Sequence, residues 1–173
     1  MFPAYTLIVS QPLAFGAFDR FDNALSVIEH TRGPESAEAA GVHRDIAKAL
    51  VAQGKLTDAL AHSQRDVAIL DKTGKDNPRL PTAQMQLAEI ELALGHPAIA
   101  APAAERGLAM SEAQGDDAEP NELARLRFAL ARALWDTGGD RERARKLAEQ
   151  AEAGQPDAGR KSEVTKWLAS HRP

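Results

Sequence analysis

Residues 87–108 read LAEIELALGHPAIAAPAAERGL, and residues 130–151 read LARALWDTGGDRERARKLAEQA. In both stretches an apolar run with three- and four-residue spacing is followed by a Gly turn and then by a second run of the same kind. That spacing places apolar side chains on one face of a helix, and Gly permits the left-handed backbone that ends a helix. Each stretch therefore predicts two helices joined by a tight turn.

The same unit recurs along the chain at a loose period. Four alanines align, with spacings of 35, 41 and 44 residues. Small side chains at these alanines, and at the positions seven residues before each turn Gly, let the two helices of a pair cross closely. Stacking several such pairs buries a continuous core. The sequence predicts an all-α solenoid of about three to four antiparallel helix pairs with a C-terminal capping helix. The small residues are Ala24, Ala59, Ala100 and Ala144 after the turns, and Ala47, Ala88 and Ala131 before them.

Three regions are expected on this basis. Residues 1–16 form an apolar N-terminal segment or a degenerate first helix, residues 17–156 form the repeat array, and residues 157–173 form the capping helix. The capping helix would cover the apolar face of the last pair with Val164, Trp167 and Leu168.

The N-terminal segment carries no charged side chain over residues 1–18. Pro3, Pro12 and Gly16 interrupt it, and no positively charged region precedes it, so neither a membrane span nor a signal peptide is expected. We expect it to pack on the first helix pair.

Composition excludes several functional classes. Hydrophobic residues make up 43% of the chain and aromatic residues only 5%, as in closely packed helices built on Ala and Leu. A net charge of −4 gives no basic surface for nucleic acid. The absence of cysteine rules out disulfides and thiolate metal sites, and it is compatible with the cytoplasmic location that we expect.

The two quoted stretches resemble tetratricopeptide repeats, which have a Leu-small pair, a turn Gly, an Ala and a second small residue seven positions later. The second small residue here is Gly107 or Ala151, whereas the second unit departs from the pattern with Asp66. The long period resembles the extended repeats of kinesin light chains and of bacterial signalling proteins. The end of the chain also resembles the tetratricopeptide tails of bacterial serine/threonine kinases.

The tripeptide His43-Arg44-Asp45 matches the start of a kinase catalytic loop. Leu50 stands where that loop needs a metal-binding Asn, and no Gly-rich loop or D-F-G accompanies it. The surrounding apolar residues keep a helical period, so we interpret the tripeptide as part of a helix. The five histidines show no metal-ligand spacing, and we predict no catalytic residue, metal or cofactor.

The resemblance implies that the first helix of each pair lines a concave groove that binds a peptide. For two of the candidate residues, Phe128 and Trp135, the alternative is that they pack between repeats. A clamp for a C-terminal carboxylate, known in some members, is not supported because Lys48, Glu89 and Arg132 occupy the Asn positions. The groove residues implied by the family pattern are Arg44, Lys48, Val51, Met85, Glu89, Leu92, Phe128, Arg132 and Trp135.

These observations predict a non-catalytic protein–protein interaction or regulatory module whose partner is a protein or peptide. One alternative is that the chain is a C-terminal fragment of a bacterial serine/threonine kinase. Another is that it is the sensory tail of a transcription regulator.

Overall fold

The computed structural model describes residues 15–74 and 77–172, with side chains from residue 23 onward. These ranges contain eight α-helices and no strand, which confirms the predicted all-α class. The predicted N-terminal segment lies outside the described residues except for its last two positions. The helices are α1 (Phe15–Arg32), α2 (Ala37–Ala52), α3 (Leu56–Lys72), α4 (Leu80–Ala93), α5 (Pro97–Ala113), α6 (Pro120–Asp136), α7 (Arg141–Gly154) and α8 (Ala158–Ser170).

Three tight turns join α2 to α3, α4 to α5 and α6 to α7, and they share one backbone geometry. Gly54, Gly95 and Gly138 have φ values of +73°, +80° and +70°. At the first turn the N–H of Lys55 donates to the carbonyl of Leu50 at 2.9 Å, and the equivalent bond recurs at the other two turns. This is the Schellman arrangement, which needs a left-handed residue and so favours Gly. The turns make each helix pair antiparallel.

The small residues aligned by sequence lie where the paired helices cross. Ala59, Ala100 and Ala144 are completely buried, as the repeat pattern predicts. The alanines that precede the turns, at 47, 88 and 131, are also completely buried. Ala24 of α1 is only half-buried, and α1 runs unbroken through Asp19, which aligns with the turn Gly of the later units. Among the described residues, α1 therefore stacks as a single helix against the pair α2–α3.

At Gly107 the helix α5 lies close both to its pair partner α4 and to α6 of the next unit. A Cβ atom added there would lie 2.7 Å from Leu126 Cδ2 and 3.0 Å from Gln84 Cβ. These neighbours belong to α6 and α4, so there is no free space for a side chain at this position of α5. The resemblance to tetratricopeptide repeats places a small residue at this position, and the packing shows why.

The core extends along the array and ends under α8. One apolar cluster joins α4, α5, α6 and α7, and it includes Val164 of α8, which is 1% exposed. Trp167 and Leu168 pack against the same cluster. Arg145 on α7 also donates to the carbonyl of His171 at 2.6 Å, which holds the end of α8 against the last pair. Burying these side chains keeps the apolar face of the last pair from water.

Ion pairs link neighbouring second helices. Arg106 on α5 pairs with Asp71 on α3, and Arg143 on α7 pairs with Glu105 on α5 at 2.5 Å. All four side chains are partly exposed, so each pair adds little stability. Within the described parts of the chain, none of the helices has both the length and the apolar character needed to cross a membrane.

The contact at Gly107 generates a stability prediction. Gly107→Ala should lower the free energy of unfolding by about 1–2 kcal/mol, because overpacking outweighs the better helix propensity of Ala. The matched control is Gly41→Ala in α2, whose added Cβ would meet only Arg44 Nη2, at 3.7 Å. That variant should gain about 0.5–1 kcal/mol. Urea unfolding of both variants measures the two changes, and equal gains would contradict the close approach.

Candidate peptide-binding groove

Two adjoining cavities lie along the first helices of the pairs. One, of about 270 Å³, is formed by α2, the start of α3, α4, α6 and α8, and the other, of about 160 Å³, is formed by α4, α6 and α8. Three side chains, those of Glu89, Arg125 and Arg160, line both cavities, so we treat the two as one groove. The other lining residues are Lys48, Val51, Leu56, Thr82, Met85, Gln86, Ile90 and Ala93 on one side, and Leu92, Phe128, Ala129, Arg132, Gln155, Glu163 and Val164 on the other.

Glu89 lies where the two cavities meet and is held by arginines from two other helices. Arg125 on α6 donates to it from two nitrogens, with Nε at 2.8 Å from Oε1. Arg160 on α8 places Nη1 at 3.8 Å from the same oxygen. A two-point contact between guanidinium and carboxylate is geometrically specific. The pair fixes Arg125 across the middle of the groove.

Two further cations lie toward the ends of the groove. The guanidinium of Arg132 lies 5.8 Å from the centre of the Phe128 ring, within cation–π range. Lys48 lies 3.6 Å from Asp45 one turn away on α2, and both side chains are more than half exposed. The groove thus presents four cations, Lys48, Arg125, Arg132 and Arg160, against the two carboxylates Glu89 and Glu163.

Apolar side chains form the floor beneath these charges. Met85 and Leu92 on α4 are 4% and 7% exposed, and Phe128 on α6 is half-buried. Val51 on α2 is 40% exposed, which is unusual for a large apolar residue in this chain. A surface that joins cations to an apolar floor fits a peptide that has both kinds of side chain.

The structure brings together most of the residues implied by the family resemblance. The groove is lined by Lys48, Val51, Met85, Glu89, Leu92, Phe128 and Arg132. Arg44 lines neither cavity, and its backbone carbonyl accepts a hydrogen bond from Gln86 Nε2 at 3.2 Å. Trp135 also lies outside the groove.

Trp135 belongs instead to an aromatic cluster under the capping helix. Its ring centre is 5.6 Å from that of Trp167 and 5.1 Å from that of His171, and both contacts are edge-to-face. Trp167 in turn contacts Phe128 edge-to-face at 5.9 Å. Trp135 thus packs against α8 and also lines a separate cavity with Arg141, whereas Phe128 both contacts the cluster and lines the groove.

Sequence reasoning missed Arg125 and Arg160. Arg125 lies three residues before Phe128 on α6, so helical spacing places both on one face and could have identified it. Arg160 lies on α8, which the sequence analysis treated only as a cap. Its approach to Glu89, two helix pairs away along the chain, depends on the curvature of the stack and has no signal in the sequence.

A second group of polar side chains lies between α2, α3 and α4, and all of its members except His62 are buried. Along α2, His43 lies between Ala40 of one apolar cluster and Ile46 of another. His43 Nδ1 is 2.9 Å from His62 Nδ1 on α3, so one ring donates to the other. Asp66, also on α3, is 1% exposed. We call His43, His62, Ser63, Asp66 and Gln86 the polar layer.

Burial shifts the proton affinities of two members of the polar layer in opposite directions. It lowers the pKa of His43 from 6.5 to about 4, and the nearby cationic groups His62 and Arg65 add to the effect. It raises the pKa of Asp66 from 3.8 to about 6, which the charges of Arg44 and Arg79 partly offset. Both shifts follow from the cost of burying a charge. His43 is therefore neutral near pH 7, whereas Asp66 is mostly ionised.

The described residues bring together no group of three or more His, Asp and Glu side chains that could hold a metal ion. Within the polar layer His62 is only half-buried, and Gln86 is the one member that lines a cavity of the groove. We therefore interpret it as part of the packing between units.

Comparisons with known proteins support the fold. No family model and no curated protein matches the sequence. Among solved structures, a kinesin-light-chain-like protein from Podosopora anserina, built of nearly identical TPR-like repeats, has a TM-score of 0.72 and 22% identity over 91% of this chain and 77% of its own. A substituted form of that protein has a TM-score of 0.71 and 21% identity over 92% and 85% of the two chains.

BtubC (BKLC) from P. vanneervenii has a TM-score of 0.67 and 16% identity, covering 97% of this chain and 70% of its own. The fold is a tetratricopeptide-like α-solenoid. At these identities the likeness concerns the tetratricopeptide-like fold alone, and the resemblance to kinase tails stays a prediction.

Asp66 generates a prediction about stability and pH. Folding raises the pKa of Asp66, so the folded protein holds this proton more tightly than the unfolded chain does. The resulting stabilisation is fully present below about pH 4 and is lost as the pH rises through 6, where Asp66 ionises in the folded state. Asp66→Ala, which restores a small residue, should therefore stabilise the fold at pH 7.5 by on the order of 1–2 kcal/mol. The gain should shrink as the pH falls from 7.5 to 4.5, and urea unfolding at each pH measures it.

The control for this experiment is Asp58→Ala, which removes an exposed carboxylate from the same helix. It should change the free energy of unfolding by no more than about 1 kcal/mol. A gain for Asp66→Ala that stays constant over this pH range would show that the effect comes from packing and not from the buried charge.

Proposed function

We propose that this chain is a non-catalytic interaction module that binds a peptide segment of a partner protein in the groove. The observation that carries the proposal is that two cavities along the first helices share the side chains of Glu89, Arg125 and Arg160 and combine cations with an apolar lining. A tetratricopeptide-like fold supports a protein–protein interaction role, because stacked helix pairs create extended concave binding surfaces. The partner and any regulatory role are part of the proposal.

The surroundings of His43-Arg44-Asp45 support the non-catalytic part of the proposal. His43 is buried in the polar layer against His62, and Asp45 is exposed beside Lys48 one turn away. The two side chains point to opposite sides of a continuous helix, because one is enclosed and the other faces water. A kinase catalytic loop needs its Asp beside a bound substrate hydroxyl.

The other two interpretations, a kinase tail and the sensory tail of a transcription regulator, stay predictions. Both are compatible with an interaction module, because each assigns the same groove to a larger protein. The DNA upstream of the first codon distinguishes them, since an in-frame kinase or DNA-binding domain would be read directly.

The proposed function is tested by co-purification from cell extract. A Lys48→Glu/Arg132→Glu variant reverses a cation at each end of the groove and should lose at least tenfold in recovery of groove-bound partners, because charge reversal penalises the bound state. The matched control is Arg32→Glu/Lys166→Glu, which reverses two exposed cations that line neither cavity. The control should recover partners as the wild type does. Equal recovery by all three proteins would contradict binding in the groove.

A further inference from the structure

The charges of the groove point to a particular class of partner. We propose that the bound segment is acidic, and that in the free protein Glu89 competes with the carboxylates of the partner for the cations of the groove. This inference rests on the proposed function and specifies the ligand of the same groove. Three observations carry it: the sign of the groove, the geometry at Glu89 and the state of Arg132.

The sign of the groove is opposite to that of the whole chain. Its ionisable lining is four cations and two carboxylates, whereas the full sequence carries a net charge of −4. Cations gathered in a concave surface of an acidic protein attract anions to that surface and repel other cations. The net positive charge of the groove would therefore attract an acidic segment and repel a basic one.

Glu89 shows that the groove already holds a carboxylate. Arg125 contacts it from two nitrogens, and Arg160 lies 3.8 Å away on a different helix. Only a fifth of the Arg125 side chain is exposed, so packing restricts its orientation, whereas nearly half of Arg160 is exposed. Arg160 can therefore turn from Glu89 to a second carboxylate without disturbing the packed pair.

Arg132 is the cation that is open to a partner. Among the described residues no carboxylate lies within ion-pair distance of it, and its guanidinium contacts the Phe128 ring. Glu163, the second carboxylate of the groove, lines the same cavity and lowers the local positive charge without reversing it. An incoming carboxylate beside Arg132 would gain an ion pair while the rest of the segment covers Phe128.

The repeat register sets the spacing of the segment. Lys48, Glu89 and Arg132 occupy the same position in three successive first helices. Helices in contact lie about 8–10 Å apart, so the two outer cations are separated by roughly 20 Å. An extended chain covers that distance in about six residues. The segment that fits best has acidic residues at both ends and apolar residues between them, over Met85 and Phe128.

Three dye-labelled peptides of twelve residues test the inference by fluorescence anisotropy with the full chain. The first carries two Glu residues about six positions apart with Leu and Ala between them, the second has Lys in place of each Glu, and the third has Gln. We expect the Glu peptide to bind at least tenfold more tightly than the Lys and Gln peptides. We also expect its affinity to fall several-fold between 50 and 300 mM salt, because exposed charges are screened.

Three variants assign the effect to particular side chains. Arg132→Gln should weaken binding of the Glu peptide about threefold to tenfold, because it removes the open cation. Glu89→Gln should tighten binding by a similar factor, because it removes the internal competitor. Lys166 lies on the capping helix with Arg160 but does not line the groove, so Lys166→Gln should leave the affinity unchanged. Thermal unfolding of each variant shows whether the fold is kept.

The outcomes separate this inference from the function it rests on. Tighter binding of the Lys peptide, or an affinity for the Glu peptide that Arg132→Gln and Glu89→Gln leave unchanged, would overturn the acidic ligand. If none of the peptides binds but partner recovery still depends on Lys48 and Arg132, the acidic ligand is wrong and the interaction module stands. If recovery is also independent of these residues, both proposals fail.

Discussion

Close approach between helices is the constraint on which the rest of this structure depends. Completely buried alanines at the same position of three helix pairs let the helices cross with no side chain between them. Gly107 extends the constraint from one unit to the next, because a Cβ atom at this position would clash with Leu126 of α6 and crowd Gln84 of α4. A larger side chain at these positions would separate the helices, and the groove, whose walls are the first helices of the pairs, would lose its shape.

The interfaces between units are not equivalent. From α4 to α8 the core is one apolar cluster, whereas α2, α3 and α4 enclose the polar layer between two smaller clusters. Asp66 replaces the small residue of the other units, and burial raises its pKa to about 6. A buried ionised carboxylate costs stability, so Asp66 weakens the packing of α3 against its neighbours near pH 7.

The groove was partly readable from sequence. Lys48, Glu89 and Arg132 follow from the repeat register, because equivalent positions on stacked helices face the same side. Trp135 has the same register as Val51 and Leu92 but contacts Trp167 of the capping helix and does not line the groove. The repeat register predicts the side of the helix on which a side chain lies, but it does not predict which other helix packs against that side chain.

The sequence by itself determined the helix pairs, their Gly turns and the buried small residues. These features depend on local backbone preference and on a periodic pattern, which are properties of neighbouring residues along the chain. Only the tertiary structure decided that Arg125 and Arg160 meet Glu89, that Trp135 contacts Trp167 edge-to-face and how deeply Asp66 is buried. The contacts of Arg160 and Trp135 depend on where α8 lies, and the others depend on how neighbouring helices pack. Both are sums of many small packing contacts between residues distant in sequence.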